Sequence, residues 1–199
     1  MTFLRPGTLL LLIAGAIAAA AQNNGTCAAP LAFPAKSGTE LTIDSRSGEV
    51  VVAGSDKDGI RVTCSFPDSG RAEEANIRFE QTGDFGKLVV RGGPSSNFQI
   101  RIEVPRRTDL KLRVTAGELR VDQVSGDKDL NLGAGEITVN NVNPTEYRSV
   151  KATVDVGGVS ASAFGADKGG FFRTLEKNTP GGHYRLRAHL ASGNIQLDN

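Results

Sequence analysis

Apolar and polar residues alternate along most of the chain with a period of two. "TELTIDS" sets Leu41 and Ile43 on one side, "GEVVVAG" sets Val50 and Val52, and "GIRVTCSF" sets Ile60, Val62, Cys64 and Phe66. Runs of this kind, separated by turn residues, predict half-buried β-strands. "NIRFEQ" from Asn76, "KLVVRG" from Lys87 and "NFQIRIEVP" from Asn97 to Pro105 continue the series. Turns are written between them as "GSDKDG" at Gly54, "TGDFG" at Thr82 and "GGPSSN" at Gly92. One piece, "SGRAEEA" at Ser69, has helical character, with Ser69 as its cap. Residues 38–105 therefore read as an antiparallel meander.

After Pro105 the alternation becomes a repeat. "KLRVTAGELRV" from Lys111, "DLNLGAGEITV" from Asp129, "KATVDVGGVSA" from Lys151 and "RAHLASGNIQL" from Arg187 align on Gly117, Gly135, Gly157 and Gly193, at offsets of 18, 22 and 36. Each copy has two inward residues before its glycine and two after: Leu112, Val114, Leu119 and Val121 in the first, and Leu130, Leu132, Ile137 and Val139 in the second. Upstream, "DSRSGEVVV" fits the same template around Gly48. Glycine enters positive φ without the steric cost other residues incur, so a glycine between two strand halves predicts a corner. Strand, corner, strand, repeated about every 18 residues, is the pattern of stacked β-rungs, and no rung buries its apolar stripe alone. Antiparallel hairpins would put the same residues inward, so periodicity leaves both arrangements open. "GADKGGFFRTLEKNTPGGHYRLR", between the third and last copies, departs from the template; Phe171, Phe172 and "NTPGG" suggest a protruding loop, then a strand at Tyr184 and Leu186.

The ends and the charge bound the setting. Arg5 precedes an uncharged apolar run, Thr8 to Ala21, too short to span a bilayer and ending in small residues. Residues 1–21 read as a signal peptide cut after Ala21, an uncleaved anchor being the minor alternative. Residues 22–37 read as an N-terminal linker segment and 38–199 as one β domain, with 38–105 its antiparallel part and 106–199 its repeat part. Without Arg5 the mature chain holds 22 basic and 22 acidic residues, a balance that argues against nucleic acid as a partner. No later run is long enough to cross a membrane. Two cysteines in an exported chain, Cys27 and Cys64, predict one disulfide.

The residues Ile102 to Val139, "IEVPRRTDLKLRVTAGELRVDQVSGDKDLNLGAGEITV", resemble the bacterial putative adhesin or "toast-rack" domain, a family of unknown function in exported and envelope proteins. Its pattern is a strand ending in Val-Pro, a Leu-rich strand, and rungs of Ser/Ala-Gly-acidic-apolar-x-Val. Val104-Pro105 and the four glycine corners match, and the likeness extends over nearly the whole mature chain. The resemblance implies a β-solenoid-like or β-roll fold and an adhesive or scaffolding role, and it supplies no catalytic residues. The chain departs from the pattern at Gly158 and Asn194, where an acidic residue is expected.

Candidate chemistry is sparse. Glu118 and Glu136 follow equivalent glycines; in adjacent rungs they would stand about 5 Å apart, near the spacing of a retaining glycosidase pair. Acidic residues are also ordinary at wet corners, and Arg120 is placed to offset their repulsion. His189 falls on an outward position, while His183 lies beside Tyr184 in the atypical stretch, with no G-x-S-x-G elbow anywhere. "SDKDG" and "GDKDL" lack the ligands to complete a calcium loop, so no metal and no cofactor are expected. The expectation is an all-β, non-enzymatic protein outside the cytoplasm, in the periplasm, on the cell surface or secreted. An antiparallel portion continues into stacked β-rungs that meet envelope components, glycans or other proteins. The alternative is a carbohydrate-binding or carbohydrate-active protein using a rung face, against which the absence of Trp counts. The C-terminal "SGNIQLDN" ends on a strand, which would leave an edge open to self-association.

Overall fold

The computed structural model describes residues 21–66, 75–93 and 97–199. Residues 1–20 of the segment expected to be a signal peptide and most of the helical stretch expected from Ser69 lie outside these residues; Ala75 already opens a strand. Twelve strands form one large mixed sheet: β1 (Ala21–Thr26), β2 (Leu31–Phe33), β3 (Thr39–Ser55), β4 (Ile60–Ser65), β5 (Ala75–Thr82), β6 (Phe85–Gly92), β7 (Gln99–Pro105), β8 (Thr108–Asp122), β9 (Lys128–Asn140), β10 (Tyr147–Ala161), β11 (Ala166–Asn178) and β12 (Tyr184–Leu197). Among the described residues no helix is long and apolar enough to cross a membrane. Two of the strands, β1 apart from Ala21 and β2, lie in the segment expected to be a linker.

Buried positions explain why the repeat strands are long. β8 buries Leu110, Leu112 and Val114 before Gly117, then Leu119 and Val121 after it. The inward parity switches from even to odd at the glycine, so a straight strand would send the two sets to opposite faces. Both are buried because the strand folds there. Chain length requires the same fold: only Gln123–Asp127 join the end of β8 to the start of its parallel neighbour β9. Five residues reach at most about 18 Å, whereas a straight 15-residue strand would run about 50 Å. Every inward residue of the four aligned copies is buried, and equivalent positions stack strand upon strand. Val50, Leu119, Ile137, Ile195 and Val159, for instance, form one buried row.

The strand order through the repeat is β3-β8-β9-β12-β10-β11, with each pair from β3 to β10 parallel. Two expectations are corrected here. The atypical stretch is not a protruding loop over most of its length but β11, antiparallel to β10. The C-terminal strand β12 is not an edge: it lies between β9 and β10, hydrogen-bonded on both sides. The cause is local. After Ser162–Phe164, a single 3-10 turn, Gly165 at φ 61° reverses the chain tightly, so β10 returns as a hairpin and takes the outer position with β11. β12 then fills the place left beside β9, which puts the third and fourth copies in reversed spatial order.

At the other end, the two strands expected at Leu41 and Val50 are halves of one 17-residue strand. The first half of β3 pairs in parallel with β6, the second half in parallel with β7. Each partner continues into its own antiparallel arm, β6-β5-β1 and β7-β4-β2. The meander is therefore antiparallel within each arm and parallel where the arms meet β3. Phe33 of one arm stacks on Phe79 of the other at 4.7 Å, and Cys27, just past β1, is bonded to Cys64 of β4. The disulfide thus staples the two arms together across their shared core.

Candidate functional site

The corner glycines form a continuous column. Gly48, Gly117, Gly135, Gly193 and Gly157 lie in register on successive strands, with φ between 103° and 136°. A Cβ on Gly135 would fall 1.8 Å from the Gly117 carbonyl oxygen, and one on Gly193 1.7 Å from that of Gly135. Glycine is demanded twice, by dihedral angle and by space, so the strand halves on either side are held rigidly.

Rigid halves fix rows of outward side chains. Immediately after the column stand Glu49, Glu118, Glu136 and Asn194, on β3, β8, β9 and β12. The structure therefore brings Glu118 and Glu136 onto adjacent strands and adds a third carboxylate that the sequence reading did not single out. Arg120 approaches Glu49, at 3.8 Å, rather than the pair it was expected to serve. Glu136 Oε1 accepts hydrogen bonds from Gln196 Nε2 at 2.7 Å and Thr138 Oγ1 at 3.3 Å. An open groove of about 540 Å³ runs beside this row, with Asn97, Gln99, Glu49 and Glu118 on its walls. Among the described residues, no group of three or more His, Cys, Asp or Glu side chains is arranged to hold a metal ion. The first aspartate of each "DKD" turn is engaged in an ion pair, Asp56 with Arg106 at 2.6 Å and Asp127 with Arg185 at 2.8 Å.

A second cluster lies at the start of the parallel strands β8, β9 and β12, and sequence reasoning missed it. Lys128 occupies an inward position, flanked in register by Leu110 and Leu186, and is 3% exposed. Its ammonium donates to the Tyr147 hydroxyl and, at 3.2 Å, to the Gly126 carbonyl. Burial pulls the Lys128 pKa down to about 8, against the opposing pull of Glu146, Asp109 and Asp127. Burial likewise raises the Tyr147 phenol, reinforced by the same kind of neighbouring negative charge. Burial raises the Asp127 carboxyl too, but hydrogen bonds and charge from Arg185 outweigh it and leave the group below its ordinary value. His183 and Tyr184 belong to this end: Tyr184 tilts against Tyr147 at 6.1 Å, and the His183 ring meets Tyr184 edge-on at 6.4 Å. The available signal was a lysine standing where neighbouring strands carry leucine.

His189 projects outward and stands 3.7 Å from Asp155. Phe171 and Phe172 are 69% and 80% exposed on the outer strand β11. The bonded cysteine pair is of the kind that persists in oxidising compartments. These features describe a surface of polar rows held in register by the paired strands.

No family model matches the chain, and no curated protein matches it. Among solved structures it is similar to one described as a putative cell adhesion protein from Clostridium sporogenes. That likeness has 14% identity and a TM-score of 0.53, and covers 85% of this chain and 98% of that one. At this identity the likeness speaks to the fold alone.

Proposed function

We propose that the chain is an exported, non-enzymatic adhesion or envelope-scaffold protein whose long strands coil as the stacked rungs of a β-solenoid-like repeat, as in the toast-rack domain. The observation that carries this reading is the glycine column through β3, β8, β9, β12 and β10, which holds outward rows of side chains in fixed register. Work done by such rows is attachment, by repetition of small contacts along a flat face. The Cys27–Cys64 bridge favours a site of action outside the cytoplasm, and the adhesion description of the similar structure agrees in kind.

The test is a binding experiment with the disulfide-intact protein, fluorescently labelled, on purified cell-envelope fractions and a panel of glycans. Saturable retention with every glycan recovered unchanged is the expected result. Retention no greater than that of an unrelated labelled protein would overturn the attachment role. Cleavage of any glycan would overturn the non-enzymatic assignment.

A further inference from the structure

The strand halves before the glycine column carry a groove of opposite character to the glutamate row. It encloses about 600 Å³, and its walls include Arg91 of β6, Asp44 and Arg46 of β3, Arg113 of β8, Asn131 of β9 and His189 of β12. These five strands are consecutive neighbours in the sheet, so the groove runs across them along the stack. Asp44, Arg113, Asn131 and His189 form one row in register, and Arg46 stands one outward position nearer the corner.

The three arginines are exposed and only one is tied down. Arg91 Nη1 donates to the carbonyls of Val90 at 3.0 Å and Asp44 at 3.5 Å. Among the described residues, the side chains of Arg46 and Arg113 have neither a hydrogen bond nor an ion pair. Among the described residues Asp44 is the only carboxylate on the groove wall, and His189 already faces Asp155. Three guanidinium groups against one carboxylate leave two net positive charges on three adjacent strands. Neighbouring strands are about 4.8 Å apart, a spacing at which like charges repel. Neutral side chains would remove that repulsion without disturbing the core, since none of the three points inward. An anion laid in the groove would relieve it directly, because guanidinium forks match carboxylate and sulfate oxygens in pairs.

We propose that this groove binds an anionic glycan, with Arg46, Arg91 and Arg113 holding its carboxylate or sulfate groups and the polymer lying across the strands. The polymeric form of the ligand rests on the attachment role proposed above; the anion site rests on the arginines.

Four probes test it by thermophoresis at low ionic strength: polygalacturonate, dextran sulfate, neutral dextran and inorganic phosphate. One or both charged polymers should bind the native protein, more weakly as salt is added, and neutral dextran should not. The R46Q/R113Q variant should lose affinity on the order of tenfold or more. K57Q/R61Q, which removes two exposed charges from another part of the surface, should bind as the native protein does. Equal binding by the native protein and R46Q/R113Q, or failure of both charged polymers to bind, would overturn the proposal. Binding of phosphate without either polymer would overturn the glycan assignment. Arginine-dependent polymer binding by a protein that is not retained on envelope fractions would uphold the groove and defeat the attachment role.

Discussion

Replacing Lys128 and Tyr147 together, by leucine and phenylalanine, should make the protein more stable at neutral pH and abolish a rise in stability between pH 8 and 10. Native Lys128 has its pKa drawn from 10.5 to about 8 by burial. Between those values the unfolded chain binds the proton more readily than the folded one, so stability climbs as pH rises through the window. The full difference of about 2.5 units corresponds to about 3 kcal/mol, a penalty present in full below pH 8 and relieved toward pH 10.5. Tyr147 acts in the opposite sense. Its raised pKa lets the folded state keep a proton that the unfolded chain releases above pH 10, so stability falls there. The double substitution removes both effects and continues the stack of Leu110 and Leu186 through the same position. Buried ion-to-apolar replacements of this kind gain about 1–4 kcal/mol. Lys128→Leu alone should gain less, because it strands the Tyr147 hydroxyl at a cost of about 1–3 kcal/mol. Urea unfolding followed by circular dichroism at pH 7, 8, 9 and 10 measures all of this. A native protein equally stable at pH 8 and 10, or a double variant that keeps the native slope, would refute the reasoning.

Gly135→Ala should cost at least about 3 kcal/mol or prevent folding, since a Cβ there meets the Gly117 carbonyl at positive φ. Gly165→Ala, at φ 61° with open space around it, should cost only about 1 kcal/mol, and equal losses in the two variants would disprove the close-packing argument. Reducing the Cys27–Cys64 bridge, which spans 37 residues, should lower stability by about 4 kcal/mol in the chain-entropy view, read as a shift in the urea midpoint with and without reductant. Asp127→Asn should weaken the protein by less than about 1 kcal/mol near pH 7, the pair with Arg185 being partly exposed. Because the Asp127 pKa is lowered in the fold, that difference should vanish as pH falls through its folded pKa, and a difference that persists in strong acid would count against the ion pair.

The candidate surfaces were unequally legible. Glu118 and Glu136 could be matched from their places after aligned glycines, and the structure sets them on neighbouring strands. Arg91 and Arg46 are 45 residues apart and meet only because β6 pairs in parallel with the first half of β3. Lys128 was hidden in a "DKD" that reads as turn chemistry, and its burial emerges only when the leucines of adjacent strands are seen on either side.

What the sequence determined by itself was local and periodic: strand character, the inward face of each half-strand, the corners at Gly48, Gly117, Gly135, Gly157 and Gly193, and the two cysteines that bond. Those follow from forces acting within a few residues, the alternation of side chains and the freedom of glycine at positive φ. Tertiary structure decided which strands became neighbours. Periodicity alone permits parallel stacking or hairpins, because both bury the same residues, and only the near-constant offset favours stacking. Backbone hydrogen bonds between strands carry no sequence label, so the choice fell to chain geometry: a five-residue link that brings β9 back beside β8, and a tight reversal at Gly165 that sends β11 to the edge. β12 therefore lies between β9 and β10, in an order that no reading of the repeats in sequence could supply.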